Sequence, residues 1–152
     1  MTPLPRLEPD FKDFLRLLNS NEVEYLLIGG YAVGWHGYVR YTGDLDIWIR
    51  VHPDNAIRAA RAVQEFGFPE ARAETFLEIP RIMRMGQAPV RIEISTRISG
   101  VDFEECYSRR QIGEIDGVKI PVIDLPDLLR NKRASGRPKD LADLDNLPKL
   151  EP

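Results

Sequence analysis

A continuous apolar run, Tyr25 to Ile28, ends at the glycine pair Gly29-Gly30, and this junction constrains the fold more than any other feature of the chain. An unbroken apolar run of this length is typical of a buried strand. Residues Tyr31 to His36 then have the pattern of a short helix that ends at Gly37. Because glycine has no Cβ, a phosphate group can approach the backbone N–H groups of such a strand–turn–helix unit closely.

The junction also has a plainer interpretation, an ordinary strand-to-helix turn. Its spacing matches neither G-x-G-x-x-G nor G-x-x-x-x-G-K, so the dinucleotide and phosphate loops that carry those motifs are not indicated. Gly29 and Gly30 are therefore candidate nucleotide-binding residues whose significance depends on what lies beside them.

Acidic residues occupy one face of the next predicted strand, residues 45–51 and the residue before them. Leu45, Ile47 and Ile49 point one way, whereas Asp44 and Asp46 leave the opposite face close together. Two such carboxylates repel each other unless a cation lies between them, and Mg²⁺ (or Mn²⁺) prefers oxygen ligands of this kind.

A third acid, Glu93, lies on the polar face of another predicted strand, residues 90–95. If the two strands are neighbours, Glu93 joins Asp44 and Asp46 in a two-metal site, and we predict catalytic and metal-binding roles for all three. An isolated Asp-x-Asp is, however, often only a solvated strand end. Glu93 is equally interpretable as an ion-pair partner of Arg91 or Arg84.

The remaining pattern indicates a single α+β domain over residues 1–152. Helical periodicity predicts helices over residues 10–18, 53–66, 102–109, 125–134 and 141–147. A hairpin (81–85 and 90–95), a strand (118–123) and a loop (67–80) complete the pattern. We expect a mixed β-sheet with helices packed mainly on one face, a core over about 24–123 and a helical tail over about 124–147.

Basic residues concentrate near the end of this otherwise acidic chain. They are Arg130, Lys132, Arg133, Arg137 and Lys139. A triphosphate needs such a counter-charge, although charge alone favours a solvated helical face. In the last predicted helix Leu141, Leu144 and Leu147 are expected to face the core, while Asp140 and Asp143 share another face.

Arg40 and Thr42 immediately precede the acid pair. They are candidates for binding a phosphate or a nucleotide hydroxyl, with loop packing as an equal alternative. His36 is expected to end its short helix rather than to act as a base.

The overall charge limits the possible partners. A net charge of −3 provides no global positive field, which argues against non-specific binding to nucleic acid. The single cysteine, Cys106, can form neither an intramolecular disulfide nor a cysteine-based zinc cluster and favours a cytoplasmic setting. The longest apolar stretch, residues 25–35, is short and broken by glycines, so we expect neither a signal peptide nor a membrane span.

In combination, the stretch LIGGYAVGWHGYVRYTGDLDIWI resembles the signature of the nucleotidyltransferase superfamily related to DNA polymerase β. There a glycine pair begins a helix, an acid-x-acid motif begins the next strand, and a third acid lies on a later strand, as Glu93 does in RIEIST. More narrowly, the chain resembles small bacterial nucleotidyltransferase-like proteins akin to the AbiEii toxins of abortive-infection and toxin-antitoxin systems. That likeness rests on the segments GGYAVGWHGYVRYTGDLDI, MGQAPVRIEISTRISGVDFEECY and NKRASGRPKDLADLDNL.

The resemblance implies metal-dependent transfer of a nucleoside monophosphate from a nucleoside triphosphate to an acceptor. It implies nucleotide contacts for the glycine pair and, through the AbiEii-like tail, for Lys132 and Lys139. One departure is Glu93, where relatives commonly carry Asp; the extra methylene moves the carboxylate by about one bond length.

The acceptor, whether RNA, protein or small molecule, is not specified by the sequence. Because the chain is too short for a separate acceptor-binding domain, a homodimer or a cognate partner protein is expected to complete the cleft. Two other functions stay open: a non-catalytic binding module or partner protein that keeps the acids, and a magnesium-dependent hydrolase or nuclease.

Overall fold

The computed structural model describes residues 6–87 and 90–150. Its strands are β1 (Tyr25–Ile28), β2 (Asp44–Ile49), β3 (Ile82–Gln87), β4 (Val90–Ser95), β5 (Gln111–Ile115) and β6 (Val118–Val122). Its α-helices are α1 (Pro9–Ser20), α2 (Gly29–Trp35), α3 (Pro53–Phe66), α4 (Phe103–Ser108), α5 (Leu125–Ser135) and α6 (Pro138–Asn146), and Ala73–Leu77 form a 3-10 helix.

These strands form one mixed sheet in the order β3-β4-β2-β1-β6-β5. Strand β2 runs parallel to β4 and antiparallel to β1, which in turn runs parallel to β6. The pairs β3–β4 and β5–β6 are antiparallel and lie at the two edges. The predicted α+β class and mixed sheet are therefore confirmed, and the acid-bearing strand β2 lies in the interior of the sheet.

The alternation predicted for β2 is present in the structure. Leu45, Ile47 and Ile49 are fully buried in the core. Trp48, which belongs to the opposite, acid-bearing face, is also only 2% exposed because it packs edge-on against Phe103 of α4, with 5.1 Å between the ring centroids. Helix α4 thus covers one end of the acid-bearing face and leaves the other end, at Asp44, for the site.

Two helices pack together over the core, α1 and α3, through an edge-on contact between Phe14 and Phe66 with ring centroids 5.1 Å apart. The first turn of α3 contributes the fully buried Asn55. Its side chain accepts a hydrogen bond from the Glu24 backbone N–H and donates to the carbonyls of Glu24 and Arg50. These bonds fix the start of β1 against the end of β2. The central strand pair is therefore held together by a residue of α3.

Several boundaries differ from the predicted ones. Helix α3 has the predicted bounds, but α2 begins at Gly29 rather than Tyr31, so the glycine pair forms the first turn of the helix instead of preceding it. Strand β5 was not predicted, because its two isoleucines, Ile112 and Ile115, are three residues apart and give no apolar alternation. It is a strand through its pairing with β6. The predicted loop over 67–80 contains the 3-10 helix.

The orientation predicted for the last helix is confirmed for two of its leucines, since Leu147 is 3% exposed and Leu144 packs against the core, but it is wrong for Leu141. Helix α6 begins at Pro138, and Leu141 is 48% exposed, whereas Asp140 and Asp143 are each 1% exposed. Helical periodicity favoured Leu141 for the inner face of the first turn. The structure instead turns Asp140 and Asp143 inward, where cations from other elements neutralise them.

The hairpin prediction is confirmed for its strands, since β3 and β4 pair along their whole length. Residues 88 and 89 of its predicted turn lie outside the described residues, as do residues 1–5 and 151–152. Within the ranges that the structure describes, no helix combines the length and apolar character needed to cross a membrane.

Candidate active site

Strand register brings the three predicted acids together. Asp46 of β2 is the register partner of Glu93 on the parallel strand β4, and Asp44 is the partner of Arg91. Because residues two apart on a strand share a face, Asp44, Asp46 and Glu93 leave the same face of the sheet. We refer to these three residues as the carboxylate cluster.

Two arginines contact the carboxylate cluster. Nη2 of Arg91 lies 3.2 Å from Oδ2 of Asp44 and 3.3 Å from Oε1 of Glu93, so one guanidinium bridges two acids. Arg84, the partner of Glu93 on β3, brings its Nε to 3.1 Å from the same Oε1. The ion pairs anticipated as the alternative interpretation of Glu93 are therefore both present, in addition to its proximity to the aspartates.

Asp46 differs from the other two acids. Across residues 6–87 and 90–150, no side chain or backbone group donates a hydrogen bond to its carboxylate. Burial, together with the negative charges of Glu93 and Asp44, raises the pKa of Asp46 from 3.8 to about 6, despite the opposing charges of Lys139 and Lys132. The site therefore holds a carboxylate whose negative charge is only partly compensated by its surroundings.

The glycine pair is needed for the close approach of two side chains. Gly29 has φ +68, and a Cβ at this position would lie 2.1 Å from Oδ2 of Asp46. A Cβ on Gly30 would lie 2.5 Å from Oγ1 of Thr42. The start of α2 thus lies directly against Asp46 and the loop before β2, and only glycine leaves room for both contacts.

A cleft of about 650 Å³ opens in front of the carboxylate cluster. Six cationic side chains are among the residues that line it, from β3, β4, the segment after β4, helix α5, the link between α5 and α6, and helix α6: Arg84, Arg91, Arg97, Lys132, Arg137 and Lys139. Of these, Arg97 and Lys139 form no ion pair within the described part of the chain. The cleft therefore combines a carboxylate cluster with cations that are available to a bound anion.

Beside the cleft lies a group of ion pairs, the α6 ion network, made of Arg40, Lys132, Arg137, Asp140 and Asp143; Lys132, Arg137 and Asp140 also line the cleft. Nζ of Lys132, with its side chain only 5% exposed, lies 3.0 Å from Oδ1 of Asp140 and 3.0 Å from Oδ2 of Asp143. Arg40 donates two hydrogen bonds to Asp143, at 2.7 and 2.8 Å. Arg137 donates from Nε to Asp140 at 2.8 Å.

The α6 ion network shifts the acidity of both aspartates. Burial alone would raise the pKa of Asp140, but hydrogen bonds from Arg137, Ser135 and Lys132 outweigh it and lower that pKa to about 2. The pKa of Asp143 is also lowered, since hydrogen bonds from Arg40 and Lys132 outweigh its burial. Both groups are thus ionised at neutral pH, and the network joins α5, α6 and the loop that precedes β2.

The structure divides the predicted site residues into two groups. Gly29, Asp44, Asp46, Glu93, Lys132 and Lys139 line the cleft. Gly30, Arg40 and Thr42 are not among the lining residues; Gly30 contacts Thr42, and the Arg40 guanidinium is held by Asp143. Lys132 is neither on a solvated face nor unpaired, because it is an internal counter-ion of α6.

His36 ends α2, as predicted. Its Nε2 lies 2.7 Å from the backbone carbonyl oxygen of Ile123, and burial lowers the pKa of its imidazole. His36 therefore joins α2 to the end of β6 and takes no part in the cleft.

Sequence reasoning missed Arg97 as a cleft residue and gave Arg91 and Arg84 only as alternatives for Glu93. Nothing in the local pattern distinguishes Arg84 or Arg97 from other arginines of the chain. The register between β2, β3 and β4 is what places Arg84 and Arg91 at the acids. A sequence signal for Arg91 does exist, since it lies two residues before Glu93 and so shares its face.

The carboxylate cluster has the donor chemistry for a divalent cation, although two of its members are now paired with arginine. Three carboxylates are hard oxygen ligands suited to Mg²⁺ or Mn²⁺. Within the described residues, no three His, Cys, Asp or Glu side chains are already arranged around a common ion position. Two observations fit a bound cation. Asp46 receives no hydrogen bond from the described residues, and the negative charges of Glu93 and Asp44 act on it.

Solved structures of nucleotidyltransferases and nucleotidyltransferase-like proteins share the fold of this chain. A protein of Thermotoga maritima assigned to the nucleotidyltransferases matches with a TM-score of 0.61 at 19% identity, over 90% of this chain and 88% of that one. An antigenic nucleotidyltransferase-like protein from Paracoccidioides brasiliensis matches with a TM-score of 0.53 at 18% identity, over 93% and 77%. The antibiotic-resistance factor ANT(2'')-Ia matches with a TM-score of 0.55 at 13% identity, over 90% and 79%.

The chain therefore has the nucleotidyltransferase fold. No protein-family model and no curated protein sequence matches it. The narrower resemblance to the AbiEii toxins stays a prediction.

Proposed function

We propose that the chain is a metal-dependent nucleotidyltransferase that moves a nucleoside monophosphate from a nucleoside triphosphate to an acceptor. The observation that carries the proposal is the register of Asp46 with Glu93, beside Asp44, at the cation-lined cleft of a nucleotidyltransferase fold. Asp44, Asp46 and Glu93 would hold Mg²⁺ or Mn²⁺. When bound, such an ion neutralises phosphate charge and lowers the pKa of an acceptor hydroxyl.

The chain's own groups have separate roles in this proposal. Lys139 and Arg97, which are unpaired in the described structure, bind the phosphates and neutralise the departing pyrophosphate. Gly29 lines the cleft and, having no Cβ, leaves room for the carboxylate of Asp46 beside it. Glu93 accepts the acceptor's proton as the new bond to the α-phosphorus forms and the bond to pyrophosphate breaks.

Arg40, Thr42, Gly30 and Lys132 contribute to nucleotide binding indirectly in this proposal. Lys132 and Arg40 fix α6, and with it Lys139, through their ion pairs with Asp143. Thr42 packs on Gly30 and donates a hydrogen bond to the Asp44 carbonyl at 3.3 Å, next to the first acid.

The test is transfer of label from each α-labelled ribonucleoside triphosphate, with Mg²⁺ or Mn²⁺ and a cell extract as the acceptor source. Asp44→Asn and Asp46→Asn should each abolish labelling of protein, RNA or small molecule while the fold is retained. Glu114→Gln is the matched control, since Glu114 is an exposed carboxylate on the far edge strand β5. Full transfer by both Asn variants would refute the proposal.

The acceptor and setting belong to the same proposal. We propose that a second copy or a cognate partner protein supplies part of the acceptor site, in a toxin-antitoxin or abortive-infection setting, on the strength of the AbiEii-like segments. Growth arrest on expression that requires Asp44 and Asp46 would support this setting. Growth unaffected by the active chain would count against it.

A second candidate is a non-catalytic binding module with this fold. The observation that favours it is that Arg91 and Arg84 already neutralise Asp44 and Glu93. In the labelling experiment this candidate predicts no turnover with any triphosphate, whereas a hydrolase releases free monophosphate or pyrophosphate without a labelled adduct.

A further inference from the structure

The carboxylate cluster already contains a cation, the guanidinium of Arg91. One nitrogen, Nη2, contacts both Asp44 and Glu93, at 3.2 and 3.3 Å. Repulsion between these acids is therefore relieved within the protein by a group that belongs to the chain itself.

Arg91 is held by these two acids and by little else. Its Nε is buried and has no hydrogen-bond acceptor among the described residues, and its side chain is 33% exposed. A guanidinium secured through one nitrogen, with another donor unsatisfied, loses two contacts when it swings out and gains a chance to satisfy Nε in water or on a ligand.

The arginines beside the carboxylate cluster determine how much negative charge is available to a divalent ion. Arg84 also contacts Glu93, but its side chain is 54% exposed and contacts one acid only. With both arginines in place, Asp44 and Glu93 are paired with guanidinium groups and Asp46 is the member of the cluster that neither arginine contacts. With Arg91 displaced, Asp44 and Asp46 are the unpaired pair that a hard cation requires.

We propose that Arg91 is a resident counter-cation that competes with a divalent metal ion for the oxygens of Asp44 and Glu93. The proposal rests on the proposed function only for the identity of the three ligands. Metal binding then requires the guanidinium to leave the two acids for the cleft. Since that cleft is rich in cations, phosphate oxygens are the acceptors that would receive Arg91, which couples metal binding to nucleotide binding.

The test is direct Mn²⁺ binding to the full chain without nucleotide, measured from the electron paramagnetic resonance signal of free Mn²⁺. Arg91→Gln should bind Mn²⁺ about tenfold more tightly than the wild type, since the contacts of Nη2 with Asp44 and Glu93 no longer have to be broken. Arg97→Gln is the matched control: it removes the same charge from the same cleft without touching the acids. Its affinity should change less than about threefold.

A second variant, Arg91→Met, keeps the apolar stem of the side chain and should give the same gain if Arg91→Gln fails to fold. Adding Asp46→Asn to whichever Arg91 variant folds better should abolish tight Mn²⁺ binding. That loss would show that the ion binds at the carboxylate cluster. Equal or weaker Mn²⁺ binding in both Arg91 variants, or an equal gain in Arg97→Gln, would overturn the proposal.

The measurement separates this inference from the proposed function. Tighter Mn²⁺ binding in the Arg91 variants without any transfer activity would uphold the competition and refute the nucleotidyltransferase activity. Transfer activity with unchanged Mn²⁺ affinity in the Arg91 variants would support the nucleotidyltransferase activity and refute the competition.

Discussion

Asp46 on β2 and Glu93 on β4 are register partners on adjacent parallel strands, and no hydrogen-bond donor within the described residues satisfies Asp46. Glu93 is paired with two arginines, whereas the charge of Asp46 is disfavoured by burial and by Glu93 and Asp44, an effect that Lys139 and Lys132 oppose only in part. Such an arrangement is unfavourable for folding by itself, and perturbed carboxylates of this kind are concentrated at functional sites in proteins.

The first prediction is that Asp46→Asn stabilises the metal-free protein at pH 8. Because the folded pKa of Asp46 is raised from 3.8 to about 6, the native state binds more protons than the unfolded state in that interval. Its contribution to stability therefore falls as pH rises from about 4 to about 6, and the full penalty remains above that range.

Removing this penalty should raise the free energy of unfolding by about 1–3 kcal/mol at pH 8 and leave it nearly unchanged below pH 4. Urea unfolding in chelator at both pH values measures the difference. Glu114→Gln, on the exposed edge strand, should show no such pH-dependent gain. A stability loss in Asp46→Asn at pH 8 would contradict the burial argument.

The second prediction concerns Gly29. Gly29→Ala places a Cβ 2.1 Å from Oδ2 of Asp46 and forces alanine to φ +68. Gly117→Ala meets the same backbone problem at φ +81, but its Cβ lies in open space.

We expect Gly117→Ala to cost about 1–2 kcal/mol and Gly29→Ala a further 1–3 kcal/mol, about what overpacking costs. Thermal unfolding of the two variants isolates the contact with Asp46. Equal losses would show that the close approach has no energetic importance.

The third prediction distinguishes the two lysines of the cleft. Lys132→Met leaves Asp140 and Asp143 without their shared counter-ion in a buried position, which should cost about 3–5 kcal/mol. Lys139→Met removes a cation with no ion pair in the described structure and should change stability by no more than about 0.5 kcal/mol.

Nucleotide binding should show the opposite order. Lys139→Met is expected to weaken triphosphate binding about tenfold, as measured by titration calorimetry, because it removes one charge-assisted contact. If Lys139→Met bound triphosphate as tightly as the wild type, Lys139 would have to be removed from the site.

The fourth prediction is that the ionised carboxylate of Asp140 contributes to the free energy of unfolding and that this contribution is lost in acid. Its folded pKa, about 2, lies below the ordinary value of 3.8, so its contribution is present above pH 4 and is lost as pH falls through about 2. The Asp140→Asn variant lacks this contribution to the free energy of unfolding. Its stability deficit relative to the wild type should be full at pH 5 and shrink steadily toward pH 2, and a deficit independent of pH would refute the ionic origin.

Local sequence patterns were sufficient for the part of the site that lies on single strands. The alternation of Leu45, Asp46 and Ile47 predicted which face of β2 is buried, because the side-chain period of a strand is fixed by its backbone. The glycine pair predicted a close approach, although the groups that approach are Asp46 and Thr42 of the same chain.

Helix α6 shows where local patterns fail. Leu141 and Asp140 compete for the inner face, and hydrophobic spacing favours the leucine. The aspartate is buried instead because Lys132 and Arg137, from sequence positions before the helix, neutralise it. A buried charge depends on its partners, and these are known only once the helices are packed.

By itself, then, the sequence determined the α+β class, the acid-bearing face of β2 and the chemistry that three carboxylates offer. Only the tertiary structure decided that Glu93 lies beside Asp46, that Arg91 bridges Asp44 and Glu93, and that Lys132 is an internal counter-ion. The physical reason is the range of the interactions. Strand alternation and glycine conformation act between neighbouring residues, whereas register and ion pairing join residues that meet only in the folded sheet.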